Sequence, residues 1–361
     1  MMSEQNEKKE INKNQPLLQV EDLRVSYYTY AGEVQSVRGI SFDVKQGEIM
    51  AIIGESGCGK SVTARSIMSL IRKPGKIKEG SKILFDGKNV AAMTKKELSK
   101  YRGGECSMVF QDALVALDPT MRVGKQIMEN LCIHGWSKKD AKEEAIRLLG
   151  AVGIPNAERR FKQYPFEFSG GMRQRAMIAM AVACQPRLVI ADEPTTALDV
   201  TIQAQIMELL KKLRDEDGTS IILISHDFGV VAGFADVITV MYAGKIIERG
   251  TKGEIFYEPK HPYTWALLGA VPRLDWKNKQ ELRTIRGTPP DLVAPPKGCP
   301  FAKRCELCMN VCLEEEPPVK AFGEDGTHSA ACWLYAEDAP QEVLEKAKKF
   351  AFTRGGRTNE Q

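Results

Sequence analysis

The chain has 361 residues, 43% of them hydrophobic and 27% charged, and its 51 basic and 47 acidic side chains leave a net charge of only +4. That length exceeds one ordinary core and calls for two or three packed units of soluble, globular composition. The apolar runs fall well short of the roughly 18–20 residues that a bilayer span requires, and the near-neutral charge gives no global case for nucleic-acid binding.

Residues 1–16 are polar and charged, lack the apolar stretch of a signal peptide, and read as a disordered tail. Nine cysteines without an export signal imply a reducing compartment and no structural disulfides. Leu17–Tyr28 and Val34–Val44 alternate as strands, and Ile49–Ile53 is a continuous apolar run suited to a buried parallel strand. Ala64, Ile67, Met68 and Ile71 then form one apolar helical face. Lys82–Phe85 followed by Asp86-Gly87 predicts a strand and a tight turn, and Met108–Phe110 a short strand ending at Gln111.

From about residue 112 to 168 the period becomes helical. Ser137 and Asp140 predict a capping box, and Ala141, Ala145, Leu148, Leu149 and Val152 an apolar stripe ended by Gly150 or Gly153. The segment reads as a helical insertion in an α/β core. The core resumes with a packed helix from about Met172, the strand Leu188–Ala191, an amphipathic helix from Val200, the strand Ser220–Ser225 and a hairpin around Ala243-Gly244. This alternation predicts a mostly parallel sheet with helices on both sides, preceded by an antiparallel β part. After residue 258 frequent prolines mark a C-terminal extension, residues 259–361, expected to lie outside the sheet.

Gly54–Ser61 reads G-x-x-x-x-G-K-S between a strand and a helix. In that context Gly54, Gly57 and Gly59 let backbone N–H groups of Gly54, Glu55, Ser56, Gly57, Cys58, Gly59, Lys60, Ser61 and Val62 converge on phosphates. The helix start favours the same anion. Lys60 is expected to reach the β- and γ-phosphates and Ser61 to ligate Mg²⁺. Cys58 fills a loop position that phosphate contact does not need. Asp192 ends an apolar strand where a Mg²⁺-holding carboxylate belongs, and Glu193 beside it is placed to polarise water. His226 ends another strand, at the edge where a γ-phosphate contact is expected. Ser169-Gly170-Gly171 opens a helix and offers a second anion site. One nucleotide rarely needs two such sites from one subunit, so the second is expected to serve another subunit's nucleotide.

Taken in order, Gly54–Ser61, Gln111, Phe168–Arg175, Leu188–Glu193, Ala197-Leu198-Asp199 and His226 resemble the motifs of an ABC-transporter ATPase. In family terms these are the Walker A loop, Q-loop, signature motif, Walker B with its catalytic Glu, D-loop and H-loop. The resemblance spans residues 17–258 and implies a phosphate-loop NTPase cassette using ATP and Mg²⁺. It makes Glu193, His226, Lys60 and Gln111 catalytic, with Gln111 also on Mg²⁺ beside Ser61 and Asp192. Tyr27 matches the adenine-stacking aromatic, and Asp199 the D-loop carboxylate. The guanine-reading N-K-x-D is missing from the core, since Asn278–Glu281 lies outside it and ends in Glu, so ATP is favoured over GTP.

Tyr164–Arg175, His261–Leu268 and Gly298–Cys305 are similar to the oligopeptide/dipeptide importer branch. That implies a homologous second ATPase, expected to be a different chain, two transmembrane permease subunits, an extracytoplasmic solute-binding protein, and a place on the cytoplasmic face of the membrane. Nickel or another small solute is the alternative cargo. Phe166 replaces a frequent His, and Asp112–Pro119 departs from the usual D-P-x-x-S-L-N-P in the segment that faces the membrane partner. A non-transport ABC ATPase acting on DNA or ribosomes would show a coiled-coil insertion or two cassettes, and neither is present.

Cys299, Cys305, Cys308, Cys312 and Cys332 gather in the extension, whereas Cys58, Cys106, Cys132 and Cys184 are scattered and read as small core residues. Soft sulfur ligands admit zinc or an iron–sulfur centre, or the thiols bind nothing. The branch resemblance implies a [4Fe–4S] cluster on Cys299, Cys305, Cys312 and Cys332, with Cys308 spare. A redox-sensing module regulated by ATP is the rival this cluster raises.

Overall fold

The computed structural model describes residues 16–196, 198–270, 285–323 and 326–355. The expected tail, apart from Pro16, and Ala197 and Asn278–Glu281 lie outside the described residues.

The chain begins with β1 (Leu18–Thr29), β2 (Gly32–Val44), β3 (Ile49–Ile53), α1 (Lys60–Ile67), β4 (Gly75–Ile77), β5 (Lys82–Phe85), β6 (Lys88–Asn89), α2 (Lys95–Lys100) and β7 (Cys106–Val109). β1, β2, β5 and β6 form an antiparallel sheet in the order β2-β1-β5-β6, and β4 pairs with β1. α1 stops at Ile67, so Ile71 of the predicted apolar face lies beyond the helix, while Ala64, Ile67 and Met68 are buried as expected.

The helical insertion follows as α3 (Ala113–Ala116), α4 (Val123–Ile133), α5 (Lys138–Ala151) and α6 (Ala157–Phe161), and α7 (Gly170–Val182) returns to the core. Ala141, Ala145, Leu148, Leu149 and Val152 are all buried. Ser137 accepts the Asp140 N–H, but the Asp140 carboxylate takes the Ser137 hydroxyl at 2.7 Å and does not reach back to the backbone. The predicted capping box is therefore half formed, because the short Asp side chain stops at the hydroxyl where a Glu or Gln would continue. The C-terminus of α5 closes with Gly153 N–H on Gly150 O and Ile154 N–H on Leu149 O, the paired bonds of a Schellman end.

β8 (Leu188–Asp192), α8 (Val200–Asp217), β9 (Ser220–Ser225), α9 (Phe228–Phe234), β10 (Val237–Tyr242), β11 (Lys245–Thr251) and α10 (Lys252–Tyr257) complete the core. β10, β3, β9, β8 and β7 run parallel in that order. Their side chains alternate between two cores. Ile49, Ala51 and Ile53 enter the core shared with the insertion, while Met50 and Ile52 enter the core under the antiparallel sheet. Burial on both faces explains why these strands read as unbroken apolar runs.

The extension holds α11 (Pro262–Gly269), α12 (Asn310–Glu314), β12 (Val319–Phe322), β13 (His328–Ala331) and α13 (Gln341–Gly355). Contrary to the expectation from its prolines, it continues the main sheet. β13 pairs antiparallel with β11, and β12 with β13, giving the order β12-β13-β11-β10-β3-β9-β8-β7. Among the described residues Pro262 opens α11 and the other prolines fall in the connections, which leaves these two short strands free to pair.

Glu248 of β11 fastens this arrangement. Its fully buried carboxylate accepts the N–H groups of Lys260 at 2.5 Å and His261 at 3.0 Å and lies 2.8 Å from His328 Nε2. Removing a buried charge partner leaves its donors unpaired. Glu248→Ala should therefore destabilise the chain by roughly 3–5 kcal/mol. Urea unfolding checks this, and an unchanged midpoint would show that the extension is held elsewhere.

Candidate functional site

Every strand of β3, β9, β8 and β7 is parallel, so their carboxyl ends meet at one edge, and the connection after each carries a predicted site residue. After β3 comes the phosphate loop. Gly54 has φ +154, and a Cβ there would stand 2.2 Å from Met241 O. Gly59 has φ +104, and a Cβ there would stand 2.5 Å from Ser36 O. Only glycine fits either position, because the loop lies directly against the backbones of β10 and β2. Lys60 is buried, and its Nζ donates to Gly54 O at 2.7 Å and Glu55 O at 3.1 Å. The ammonium therefore sits within the curl of the loop.

Ser61, in the first turn of α1, donates its hydroxyl to Asp192 Oδ1 at 2.9 Å. Asp192 is buried at the end of β8. Desolvation raises its carboxyl above the ordinary range, the Ser61 hydrogen bond opposes this, and Glu193 raises it further. A hydroxyl and a carboxylate side by side form a hard oxygen pair suited to Mg²⁺.

Glu193 takes a left-handed backbone, φ +47, unusual for a side chain with a Cβ and a form of strain that concentrates at working sites. Its N–H is held by Ile224 O at 3.0 Å. Three side chains surround Glu193 Oε2. Gln111 Nε2 donates at 3.0 Å, Thr196 Oγ1 donates at 3.1 Å, and His226 Nδ1 stands at 3.4 Å. Gln111 follows β7 and His226 follows β9, so three strand ends meet on one carboxylate. The Gln111 amide nitrogen is engaged with Glu193, which leaves its carbonyl oxygen as the end suited to a cation. Thr196 is missing from the sequence-based set. Its signal was a hydroxyl three residues after Glu193, one turn along.

The remaining predicted residues lie apart from this group. Ser169 caps α7 by accepting the Met172 N–H at 3.3 Å, and Ser169 and Gly170 are exposed. Asp199 caps α8 through Oδ1 on Ile202 N–H at 2.9 Å and is also exposed. Tyr27 pairs with Val34, two residues before the Ser36 carbonyl that touches Gly59, so the ring belongs to the hairpin against which the loop packs. Glu55 does not offer its carboxylate to the loop's interior, because Arg304 holds it with both terminal nitrogens.

Residues 37–196 match the ABC transporter family, and residues 247–312 match the oligopeptide/dipeptide transporter C-terminal region. The chain is 54% identical to the oligopeptide transport ATP-binding protein OppD of Bacillus subtilis, over 93% of this chain and 95% of the relative. It is 53% identical to the dipeptide transport ATP-binding protein DppD of the same organism, over 91% and 97%. The chain belongs to the oligopeptide/dipeptide branch of the ABC-transporter ATPases. Among solved structures, a dimeric MJ0796 ATP-binding cassette bound to ADP and Pi superposes with a TM-score of 0.59 at 27% identity, covering 65% of this chain and 98% of that one.

In this ABC ATPase, Cys299, Cys305, Cys312 and Cys332 line one enclosed cavity beside His261 and Trp333. Burial pushes the Cys299 thiol up to about 11 and the Cys305 thiol to about 12, and raises Cys332 as well. Cys308 is exposed and outside the cavity lining. Among the described residues, no group of three or more His, Cys, Asp or Glu side chains is arranged to hold a metal ion. The expected metal site on these cysteines is thus not formed as a single-ion centre. Of the scattered cysteines, Cys58 and Cys106 are buried, and Cys132 and Cys184 are partly so.

The buried charge of Asp192 costs the fold stability, since its ionised form is disfavoured. Asp192→Asn should raise the melting temperature without Mg²⁺ and lower Mg²⁺-dependent ATP hydrolysis by roughly 10²–10³-fold. Thermal melts and turnover assays on the same preparation test both, and a lower melting temperature would contradict the desolvation argument.

Proposed function

We propose that this ATPase hydrolyses MgATP as one half of an ATPase pair that drives import of di- or oligopeptides through two permease subunits. The observation that carries the reading is the Glu193 carboxylate, fixed by Gln111, Thr196 and His226 at the sheet edge that also presents Lys60 and the Ser61–Asp192 pair. In the reaction, water oxygen bonds to the γ-phosphorus as the bond to the bridging oxygen of ADP breaks, and Glu193 takes the proton from the water. Lys60 steadies the phosphate charge, and His226 holds the γ-phosphate. Ser61, Asp192 and the Gln111 carbonyl would hold Mg²⁺, which supplies charge neutralisation at the phosphates. Tyr27 stacks on the adenine.

The chain carries one set of these motifs, and its helix-start pair Ser169-Gly170 and Asp199 face solvent. Both features suit closure by a second, homologous ATPase, which we take to be a different chain. Leu114 and Val115, 62% and 84% exposed, form an apolar knuckle on the insertion, with Ile133 and Phe166 also exposed. No helix among the described residues is long and apolar enough to cross a membrane. The knuckle is the natural seat for a permease, at the cytoplasmic face, with the solute-binding protein outside. The names of the relatives support a peptide cargo over nickel or another small solute.

For the extension we propose a [4Fe–4S] cluster on Cys299, Cys305, Cys312 and Cys332. Four thiols around one cavity are the right donors for a cube, whose ligands need not converge on a single ion. His261 supports the fit. Its Nδ1 accepts the Tyr263 N–H, so the neutral ring carries its proton on Nε2, and that buried atom has no partner. Burial holds this ring down at about 4 and hence uncharged. Iron and sulfide analysis of anaerobically purified protein decides the point, and a colourless protein lacking both overturns it.

Glu193→Gln should bind ATP normally, hydrolyse it roughly 10²–10⁴-fold more slowly and accumulate ATP-bound pairs. Turnover and size-exclusion measurements check this, and wild-type turnover would remove Glu193 from its role. Cells lacking the chain should fail to take up labelled peptides, and lost nickel uptake with intact peptide uptake would reassign the cargo.

A further inference from the structure

We infer that Arg304 and Tyr263 of the C-terminal extension are positioning residues for ATP binding, acting on the phosphate loop through Glu55. The inference rests on the reading of that loop as the MgATP site. Glu55 is held at three points. Its N–H donates to Tyr263 Oη at 3.0 Å, its carbonyl accepts from Lys60 Nζ at 3.1 Å, and its carboxylate receives Arg304 Nη1 at 2.6 Å and Nη2 at 3.0 Å. The peptide group before Glu55 and the Glu55 carboxylate are therefore fixed by residues more than 200 positions away in the chain. The same Glu55 carbonyl is one of the two that locate the Lys60 ammonium.

The clamp is built from rigid parts. The Arg304 side chain is almost wholly buried, and each of its five N–H donors has an acceptor. Besides Glu55, these are Tyr242 Oη at 3.1 Å, Arg286 O at 2.9 Å and Ile285 O at 3.4 Å. The guanidinium lies over the Tyr242 and Phe301 rings, 5.7 and 6.0 Å from their centroids. Tyr242, Tyr263 and Phe301 pack on one another at 4.6–5.3 Å. A bidentate fork in such a frame fixes direction as well as distance, which a Lys cannot reproduce.

A plain tether between extension and core would be redundant here. The extension is already anchored on the core by the β11–β13 ladder and by Glu248. Nor does Arg304 touch any of the side chains that surround Glu193. What the Glu55 contact adds is control over the loop that curls around Lys60.

The test is MgATP titration of the full chain by calorimetry, with steady-state hydrolysis in the assembled transporter. Arg304→Met should raise Kd and KM for ATP by about tenfold or more. The kcat at saturating ATP should stay within about twofold, because the groups around Glu193 are untouched. Arg304→Lys should recover part of the loss, and Tyr263→Phe should show a smaller rise of the same kind. Glu55→Gln should raise Kd for ATP about as much as Arg304→Met, and the two together should be no worse than either alone. Wild-type affinity in Arg304→Met overturns the inference, as does a double variant whose loss is the product of the single losses. If folding of Arg304→Met is impaired, Tyr263→Phe and Arg304→Lys carry the same comparison, and wild-type affinity in both overturns it. A wild-type chain that binds no MgATP removes the underlying reading and the inference with it, which separates the two failures.

Discussion

Parallel pairing of β3, β9, β8 and β7 is the constraint on which the rest depends. Parallel strands must all end at the same edge, so the loop after β3, Gln111, Asp192 with Glu193, and His226 are delivered to one place from four distant stretches of sequence. The strands hold their positions because they are buried on both faces, with alternate residues in two separate cores. A one-residue slip of β8 would exchange Val189 and Ala191 with Leu188 and Ile190 between those cores and turn Asp192 away from Ser61.

Much of this was legible in the sequence because the signals are local. The apolar runs, the glycine loop, the Ser169 cap and the stripe of α5 each depend on residues within one or two turns of each other. The residues of the sheet edge could be named because each ends or follows an apolar strand, and the family resemblance supplied the roles of Gln111, Tyr27 and Asp199. Their mutual contacts could not. Gln111 and Glu193 are 82 positions apart, and their hydrogen bond follows from sheet order, which periodicity does not encode. Thr196 was missed for a related reason, since one of two adjacent threonine hydroxyls has many uses.

The extension was least legible. Its prolines suggested an irregular appendage, yet it contributes two strands, a buried histidine on Glu248 and an arginine on the phosphate loop. The seating of β13 on β11, the histidine and the arginine each depend on pairing across 80 or more positions, where no short-range pattern exists. The gathering of five cysteines in sequence did mark the region where four thiols share one cavity, while the choice of those four came from the family resemblance.

The two added strands also change where the main sheet stops. Without them the boundary would be β11, seven residues long, with Glu248 and Arg249 presenting unpaired backbone groups to any passing strand. With them the boundary is β12, four residues long, largely exposed and carrying Lys320. A short border interrupted by a charge is a poor template for a foreign strand. The extension thus closes off the longer border at which the main sheet could otherwise grow between molecules.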